Sequence, residues 1–154
     1  MLDSTPRSLL NTIESWLNAL DLRKPLIIGY SGGADSKALF YAALSIKKKP
    51  PLLLAHYNHA WREEADEEAK ILEEEAKRLS IPFYTKKAKK VPTRSMEEHA
   101  RAARLEFFLE LQKTHRANGV ALAHHKEDLA ETILKRILEG SSAEKCLAMQ
   151  KKSL

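Results

Sequence analysis

Four short apolar runs alternate with longer segments of helical periodicity along this chain of 154 residues, and that alternation constrains the fold more than any other feature. The apolar runs have the length of buried strands and cover residues 26–30, 52–57, 81–84 and 119–123. Apolar residues recur at helical spacing in the segments 8–20, 36–46, 65–79, 96–113 and 129–138. Strands that alternate with helices of this length pair in parallel through helical crossovers. The sequence therefore predicts an α/β fold, a doubly wound parallel sheet with helices on both faces.

Length and composition indicate a single domain over residues 1–154, with 44% hydrophobic residues to build a core. No stretch approaches the roughly 20 apolar residues that span a bilayer, and the first residues lack the apolar core of a secretory signal. The lone cysteine, Cys146, cannot form an internal disulfide or a CxxC pair. We therefore expect a cytoplasmic protein with no membrane partner. The net charge of +5 suits a polyanionic partner, although charge alone favours nucleic-acid binding no more than its absence.

The unusual polar residues fall where a sheet of this kind binds its ligands. In open parallel sheets that place lies outside the carboxyl ends of the strands, near the point where the strand order reverses. Four segments are expected there: residues 31–36, residues 56–62, the connector after Tyr84, and residues 124–131.

The first of these segments, residues 31–36, reads SGGADS between a predicted strand and a predicted helix. Gly32 and Gly33 allow a ligand to approach the backbone closely, and the helix N-terminus favours a phosphate. Asp35 is an anion in an anion site, which a magnesium ion bridging it to phosphate oxygens would explain. The alternative is a tight turn in which Ser36 is the N-cap and Asp35 complements the helix dipole. The segment matches neither the Walker A pattern nor GxGxxG.

The last segment, residues 124–132, reads HHKEDLAET and runs from a strand end into a helix. Asp128, Glu131 and Thr132 share one face of that helix, opposite its apolar face. Two histidines beside two carboxylates are suited to metal binding or acid–base chemistry. A solvated polar face with Asp128 near the N-cap explains the same spacing.

These strings resemble motifs of a known enzyme family. S-G-G-x-D-S is similar to the pyrophosphatase loop (PP-loop) of enzymes that use ATP to adenylate a substrate oxygen. H-H-x-x-D-x-x-E-T resembles a motif of the tRNA(Ile)-lysidine synthetases, with a close variant in tRNA thiolation enzymes that also carry CxxC pairs. The resemblance runs from residue 26 to about residue 149 and implies an adenine-nucleotide-binding α/β domain of the PP-loop type.

Two further stretches match the lysidine synthetases with departures. Residues 57–62 read YNHAWR where that family shows V-D-H-G-L-R, so His59 and Arg62 match while Asn58 replaces an aspartate. Residues 98–105 read EHARAARL and resemble E-x-A-R-x-x-R-Y, with Leu105 in place of tyrosine.

The resemblance implies a ligase that forms a carbon–nitrogen bond: it adenylates O2 of the wobble cytidine of tRNA(Ile) with a CAU anticodon, and the ε-amine of free lysine then displaces AMP. It implies ATP and Mg²⁺ as cofactors, with the phosphates and Mg²⁺ held by Ser31, Gly32, Gly33, Asp35 and Ser36, the metal on Asp35. Asp128 and Glu131 are expected to hold the lysine ammonium and accept its proton, and His125 to steady the adenylated intermediate. The remaining expected substrate-binding residues are Arg101, Arg104, His59, Arg62 and Thr132.

Several alternatives stay open from the sequence. Arg101 and Arg104 lie one helical turn apart and are suited to a shared phosphate or to surface ion pairs with nearby glutamates. The basic run 86–90 either contacts the tRNA backbone or is a solvated loop. The function itself has two alternatives: another PP-loop adenylating tRNA-modifying enzyme, or an α/β module that binds nucleotide or RNA without chemistry. Because lysidine synthetases continue further, we expect a domain truncated at its C-terminal end, without their C-terminal tRNA-binding domains.

Overall fold

The computed structural model describes residues 4–89 and 96–123, which form four helices and four strands. In chain order these elements are α1 (Ser4–Ala19), β1 (Leu26–Gly29), α2 (Ala34–Ser45), β2 (Leu52–Asn58), α3 (Ala65–Arg78), β3 (Phe83–Lys87), α4 (Met96–His115) and β4 (Val120–Ala121). Each strand therefore precedes or follows a helix, as the alternating pattern predicts.

The four strands form one parallel sheet in the order β3-β2-β1-β4. The chain builds outward from β1 through β2 to β3, and then returns to place β4 on the other side of β1. Ile27 consequently pairs with Leu53 on one side and with Val120 on the other. The strand order reverses between β1 and β4, which is where a doubly wound sheet opens a crevice for ligands.

Side chains alternate between the two faces of the sheet, and each face has its own apolar core. Leu26, Ile28 and Tyr30 pack with the buried residues of α1, α2 and α3. Ile27 points to the opposite face and packs in a second cluster with Phe107 of α4. Helices therefore cover both faces of the sheet, and the predicted fold class is confirmed.

Gly29 is the position where α4 and the end of β4 come closest to the central strand. A Cβ atom at Gly29 would overlap the side chain of Leu122 and lie 3.3 Å from Phe108 Cζ. The strand can therefore carry only glycine here without displacing its neighbours.

Some predicted boundaries were wrong in ways that packing explains. Helix α2 begins at Ala34, two residues earlier than its apolar periodicity indicated, because the turn is shorter. Strand β3 continues through Lys87, inside the expected basic connector, because its backbone pairs with β2 up to Asn58. The backbone ladder thus includes lysines that a hydropathy pattern assigns to a loop.

Helix α3 buries the face that its apolar residues indicated, through Leu72 and Ala76, but two positions differ from the prediction. Leu79, expected on the inner stripe, is 36% exposed, whereas Glu75 is only 8% exposed. Glu75 is buried because the Tyr41 hydroxyl donates a hydrogen bond to its carboxylate and Lys37 lies 3.9 Å from it. A charge can be buried when it has such partners.

In the two described ranges, none of the helices is long and apolar enough to cross a membrane.

Candidate functional site

A cavity of about 250 Å³ opens at the carboxyl ends of the strands, across the crevice where the strand order reverses. Its floor comes from the ends of β1 and β2 and from the residues that follow β4. The start of α2, the loop after β2 and one turn of α4 form its walls. Four segments that are distant in the sequence therefore share one pocket.

The segment 31–36, called the phosphate loop below, is closed by the hydroxyls of its two serines. Ser31 Oγ accepts a hydrogen bond from the Gly33 N–H at 3.2 Å and lies 3.0 Å from Ser36 Oγ. Ser36 Oγ also lies 3.1 Å from the Gly33 carbonyl oxygen, to which it donates. Both serines line the cavity. The loop therefore holds its hydroxyls and the first N–H groups of α2 at one edge of the pocket, where a phosphate is favoured.

Gly32 is required by both its conformation and its surroundings. Its φ of +86° lies in the left-handed region that favours glycine. A Cβ atom there would also stand 3.2 Å from Leu72 Cδ2 on α3. Helix α3 thus supports the phosphate loop from outside the cavity.

The structure excludes Ser36 as the N-cap of α2. The N-cap is Gly33, with extended backbone and no capping hydrogen bond from a side chain, and Ser36 lies inside the first turn. Asp35 is in that first turn and is half-buried, next in sequence to Ser36, but it is not among the residues that line the cavity. One carboxylate next to a phosphate site is the donor set that Mg²⁺ commonly takes, since phosphate oxygens and water complete its coordination. Over residues 4–89 and 96–123, no three His, Cys, Asp or Glu side chains are grouped for binding a metal by themselves.

His56 lies in the floor of the cavity and was not predicted as a site residue. It is 8% exposed, and its Nδ1 lies 2.8 Å from the carbonyl oxygen of Tyr30 at the end of β1. A carbonyl only accepts, so Nδ1 carries the proton and donates. This hydrogen bond joins β1 and β2 where the cavity begins. The position at a strand end was the only available sequence signal.

Asn58, at the end of β2, fixes the loop that follows. Its Oδ1 accepts a hydrogen bond from the Ala60 N–H at 2.8 Å, and its Nδ2 donates to Asp66 Oδ1 at 2.8 Å. Ala60 has a φ of +57° inside this turn. Lys87 of β3 pairs with the other oxygen of Asp66 at 2.8 Å, so the pKa of Asp66 is lowered by its hydrogen bonds from Lys87 and Asn58. The neutral amide of Asn58 can thus donate to the Asp66 carboxylate on α3. A carboxylate at residue 58 would instead repel that of Asp66.

His59 follows on this loop and lines the cavity, as the sequence predicted for a site residue. Burial lowers its pKa, and the positive charge of Arg104 and the nearby His56 lower the pKa further. Its Nδ1 is buried and has no hydrogen-bond partner among the described residues. A neutral imidazole with an unsatisfied ring nitrogen is therefore held against the pocket.

The three predicted arginines occupy different environments. Arg104 lines the cavity, and burial, together with the positive charge of Arg101, lowers its pKa. Arg101 is exposed and does not line the cavity. Arg62 lies at the rim and is 3.4 Å from Glu68 in an exposed ion pair. The structure thus brings Arg104 and Arg62 to the pocket and leaves Arg101 outside it.

The basic run 86–90 begins within β3, and its first two lysines lie beside acidic side chains. Lys86 lies 3.5 Å from Glu110 of α4, and Lys87 pairs with Asp66. Both lysine side chains remain at least half exposed.

The second predicted motif lies outside the described residues. It includes four of the expected site residues, which are His125, Asp128, Glu131 and Thr132. Ala123, the last described residue, lines the cavity and directly precedes this segment in the sequence.

Comparison with known proteins was made at three levels. The family model of the PP-loop domain matches residues 5–154, nearly the whole chain. Two similar curated proteins are the tRNA(Ile)-lysidine synthase of Chlamydia pneumoniae, 36% identical over 92% of this chain, and that of Protochlamydia amoebophila, 39% identical over 77%. The tRNA(Ile)-lysidine synthase of Petrotoga mobilis is 36% identical over 75% of this chain. These alignments cover 44%, 26% and 40% of the respective relatives, so the chain spans less than half of their length.

A solved structure supports the fold independently. The U34-tRNA thiolase from Methanococcus maripaludis superposes with a TM-score of 0.63, over 87% of this chain and 50% of that protein. The sequences are 15% identical, so this likeness concerns the fold alone. With the family model matching residues 5–154 and the phosphate loop at the reversal of the strand order, the chain belongs to the PP-loop domain family.

Proposed function

We propose that this chain is the ATP-binding domain of a tRNA(Ile)-lysidine synthetase. The observation that carries the proposal is the shared cavity, in which the phosphate-loop hydroxyls face the histidine and arginines of two other motifs. The name carried by the curated relatives supports the same activity. A phosphate site beside a basic, aromatic wall suits the transfer of a nucleotide to an RNA base.

The phosphate loop is the proposed site of the ATP phosphates. Ser31, Ser36 and the N–H groups at the start of α2 offer hydrogen bonds, and the glycines leave room for the ligand. Asp35 would hold a Mg²⁺ ion, which would neutralise charge on the phosphate oxygens. Arg104, partly withdrawn from solvent, would stabilise negative charge more strongly than an exposed cation does.

The proposed reaction has two steps. In the first, O2 of the wobble cytidine attacks the α-phosphate of ATP, the new bond is O–P, and pyrophosphate leaves. In the second, the ε-nitrogen of lysine attacks C2 of the base, the C–O bond breaks, and AMP leaves. The ammonium group must lose a proton before it attacks, because its reference pKa is about 10.4.

The residues proposed for the second step come from the motif at 124–132. Asp128 and Glu131 would hold the lysine ammonium and take up its proton, and His125 would steady the adenylated base. Thr132 would assist in substrate binding. These roles rest on the resemblance of the motif and on its position immediately after the cavity wall.

The experiment is transfer of labelled lysine to a tRNA(Ile) transcript with a CAU anticodon, with and without ATP. We expect ATP-dependent incorporation that disappears when the wobble cytidine is replaced. Asp35→Ala and Asp128→Ala should abolish incorporation, whereas Glu14→Ala, an exposed carboxylate on α1, should not. Unchanged incorporation in the first two variants would refute their proposed roles.

A second measurement separates the alternatives. ATP–pyrophosphate exchange that depends on another acceptor would identify a different adenylating enzyme. ATP binding without any pyrophosphate release would identify a module that binds nucleotide without chemistry.

A further inference from the structure

A series of aromatic rings extends from the core under α4 to the rim of the cavity. Phe107 of the core contacts Tyr57, with ring centroids 6.1 Å apart, and Tyr57 meets the edge of His59 at 5.0 Å. His59 in turn stacks on Trp61, with centroids 4.9 Å apart and planes inclined by 30°. Trp61 is the last ring of this series, and it is 50% exposed although it lines the cavity.

The loop that carries Trp61 is held in a defined conformation. Asn58 accepts the Ala60 N–H and is itself tied to Asp66 on α3, and Ala60 has positive φ. Because the turn and the stacking on His59 both orient the indole, its position is set before a ligand arrives. Binding to such a surface costs less conformational entropy than binding to a mobile side chain.

We propose that Trp61 is a stacking surface for an unpaired nucleobase of the RNA substrate, a role that rests on the proposed function. An indole stacked on one side presents a π surface to any base that is splayed out of an RNA loop. Arg62 and Arg104 also line the cavity and carry positive charge, and the Arg62 side chain is 70% exposed. A polyanion arriving from solvent therefore meets a ring and a cation together.

The position of Trp61 favours an RNA base over the adenine of ATP. Among the residues that line the cavity, Ser36 of the phosphate loop and His56 of the floor are buried, whereas Trp61 and Arg62 are exposed. Lys86 and Lys87 of β3 lie at the neighbouring edge of the sheet and are about half exposed, each beside an acidic side chain. An RNA is large enough to contact the rim of the cavity and the adjacent edge of the sheet together, whereas a single nucleotide is not.

The test compares Trp61→Ala and Trp61→Phe with wild type, using an anticodon stem–loop RNA with a CAU anticodon as one probe and ATP alone as the other. Because the chain has only two tryptophans, Trp16→Phe leaves Trp61 as the sole indole fluorophore. Ile71→Ala removes a side chain that is 60% exposed on α3 outside the cavity and is the matched control.

We expect the stem–loop RNA to quench Trp61 fluorescence and Trp61→Ala to weaken RNA binding by roughly tenfold, the scale of one stacked base. Trp61→Phe should retain most of the affinity, and Ile71→Ala all of it, while the Kd for ATP stays unchanged in every variant. Unchanged RNA binding in Trp61→Ala, no RNA binding by wild type, or a matching loss of ATP affinity would each overturn the proposal. If wild type transfers no lysine but its RNA binding depends on Trp61, the proposed function fails and the stacking role stands.

Discussion

At the scale of single residues, the two glycines of the phosphate loop have different tasks. Gly32 adopts a φ of +86° and its missing Cβ faces Leu72, whereas Gly33 is the N-cap of α2 with φ of −72°. Only the first position thus combines left-handed backbone with close packing. The two sites form a matched pair for testing stability.

Gly32→Ala should lower the free energy of unfolding by about 1–2 kcal/mol, because an L side chain is strained in left-handed backbone. Gly33→Ser should leave it unchanged or raise it by a few tenths, since serine is a favourable N-cap residue. Urea denaturation of both variants measures the difference. Equal losses would show that the conformation of Gly32 does not limit stability.

The hydrogen bond between the Asn58 amide and the Asp66 carboxylate is a second feature that depends on single residues. Asn58→Asp should destabilise the fold at neutral pH, because it places two carboxylates at hydrogen-bond distance where an amide now donates. The shared proton of such a pair has a raised pKa, so the loss should shrink as the pH falls. The double variant Asn58→Asp with Asp66→Asn restores one amide and one carboxylate and should recover stability. Additive losses in thermal unfolding would contradict this pairing.

At the scale of elements, the buried face of α3 includes a charged side chain, Glu75, beside the apolar residues Leu72 and Ala76. Glu75→Ala should cost about 0.5–1.5 kcal/mol, since it removes the hydrogen bond that the Tyr41 hydroxyl donates to the Glu75 carboxylate. Leu79→Ala, at the C-cap of the same helix and 36% exposed, should cost about 0.5 kcal/mol or less. Chemical denaturation of the two variants compares them, and a larger cost at Leu79 would restore the apolar-stripe interpretation.

Arg101 and Arg104 lie one turn apart on α4, and the pKa of His59 reports which of them acts on its ring. Arg104 lowers the pKa of His59, whereas Arg101 is not among the groups that act on it. Arg104→Gln should therefore raise the His59 pKa part of the way to its usual value, since burial, the larger cause, remains. Arg101→Gln should leave the pKa unchanged. NMR titration of the His59 ring protons distinguishes the two, and equal shifts would refute the assignment.

The same shift determines a pH dependence of stability. A histidine whose folded-state pKa lies below the unfolded value of 6.5 resists protonation in the native state. Its contribution to stability is therefore full above pH 6.5 and is lost as the pH falls through the folded-state pKa. Arg104→Gln should bring the folded-state pKa of His59 closer to the unfolded value, which narrows the pH range over which stability is lost. The variant should therefore lose less stability than wild type on acidification.

The fold could be predicted from the sequence because its signals are periodic and local. The run at 26–30 and the glycines after it indicated a buried strand that leads into a phosphate loop, and both are present. The burial of Glu75 and the ring contacts of Trp61 could not be predicted, because they depend on partners from other elements such as Tyr41 and His59. Motifs pointed to residues such as Ser31, Ser36 and His59 that line the cavity, whereas contacts made by tertiary packing left no local signal.

At the scale of the whole molecule, the chain carries a net charge of +5, and Arg62 and Arg104 bring positive charge to the cavity. If RNA binds there, the logarithm of its affinity should fall linearly with the logarithm of salt concentration. Arg62→Gln should reduce that slope by about 1, the effect of one phosphate contact. Lys70→Gln, an exposed lysine on α3 away from the cavity, should not change it. A binding constant that does not respond to salt would exclude a phosphate contact.

The strand order also determines when the pocket comes into existence during synthesis on the ribosome. Because Ile27 pairs with Val120 on one side, β1 has an unpaired edge and an uncovered apolar face until nearly all of the described chain has emerged. Pairing over so long a sequence separation is intrinsically slow. The nascent chain thus exposes its most buried strand for the longest time, and this strand is the segment on which chaperones would act and from which misassembly would begin.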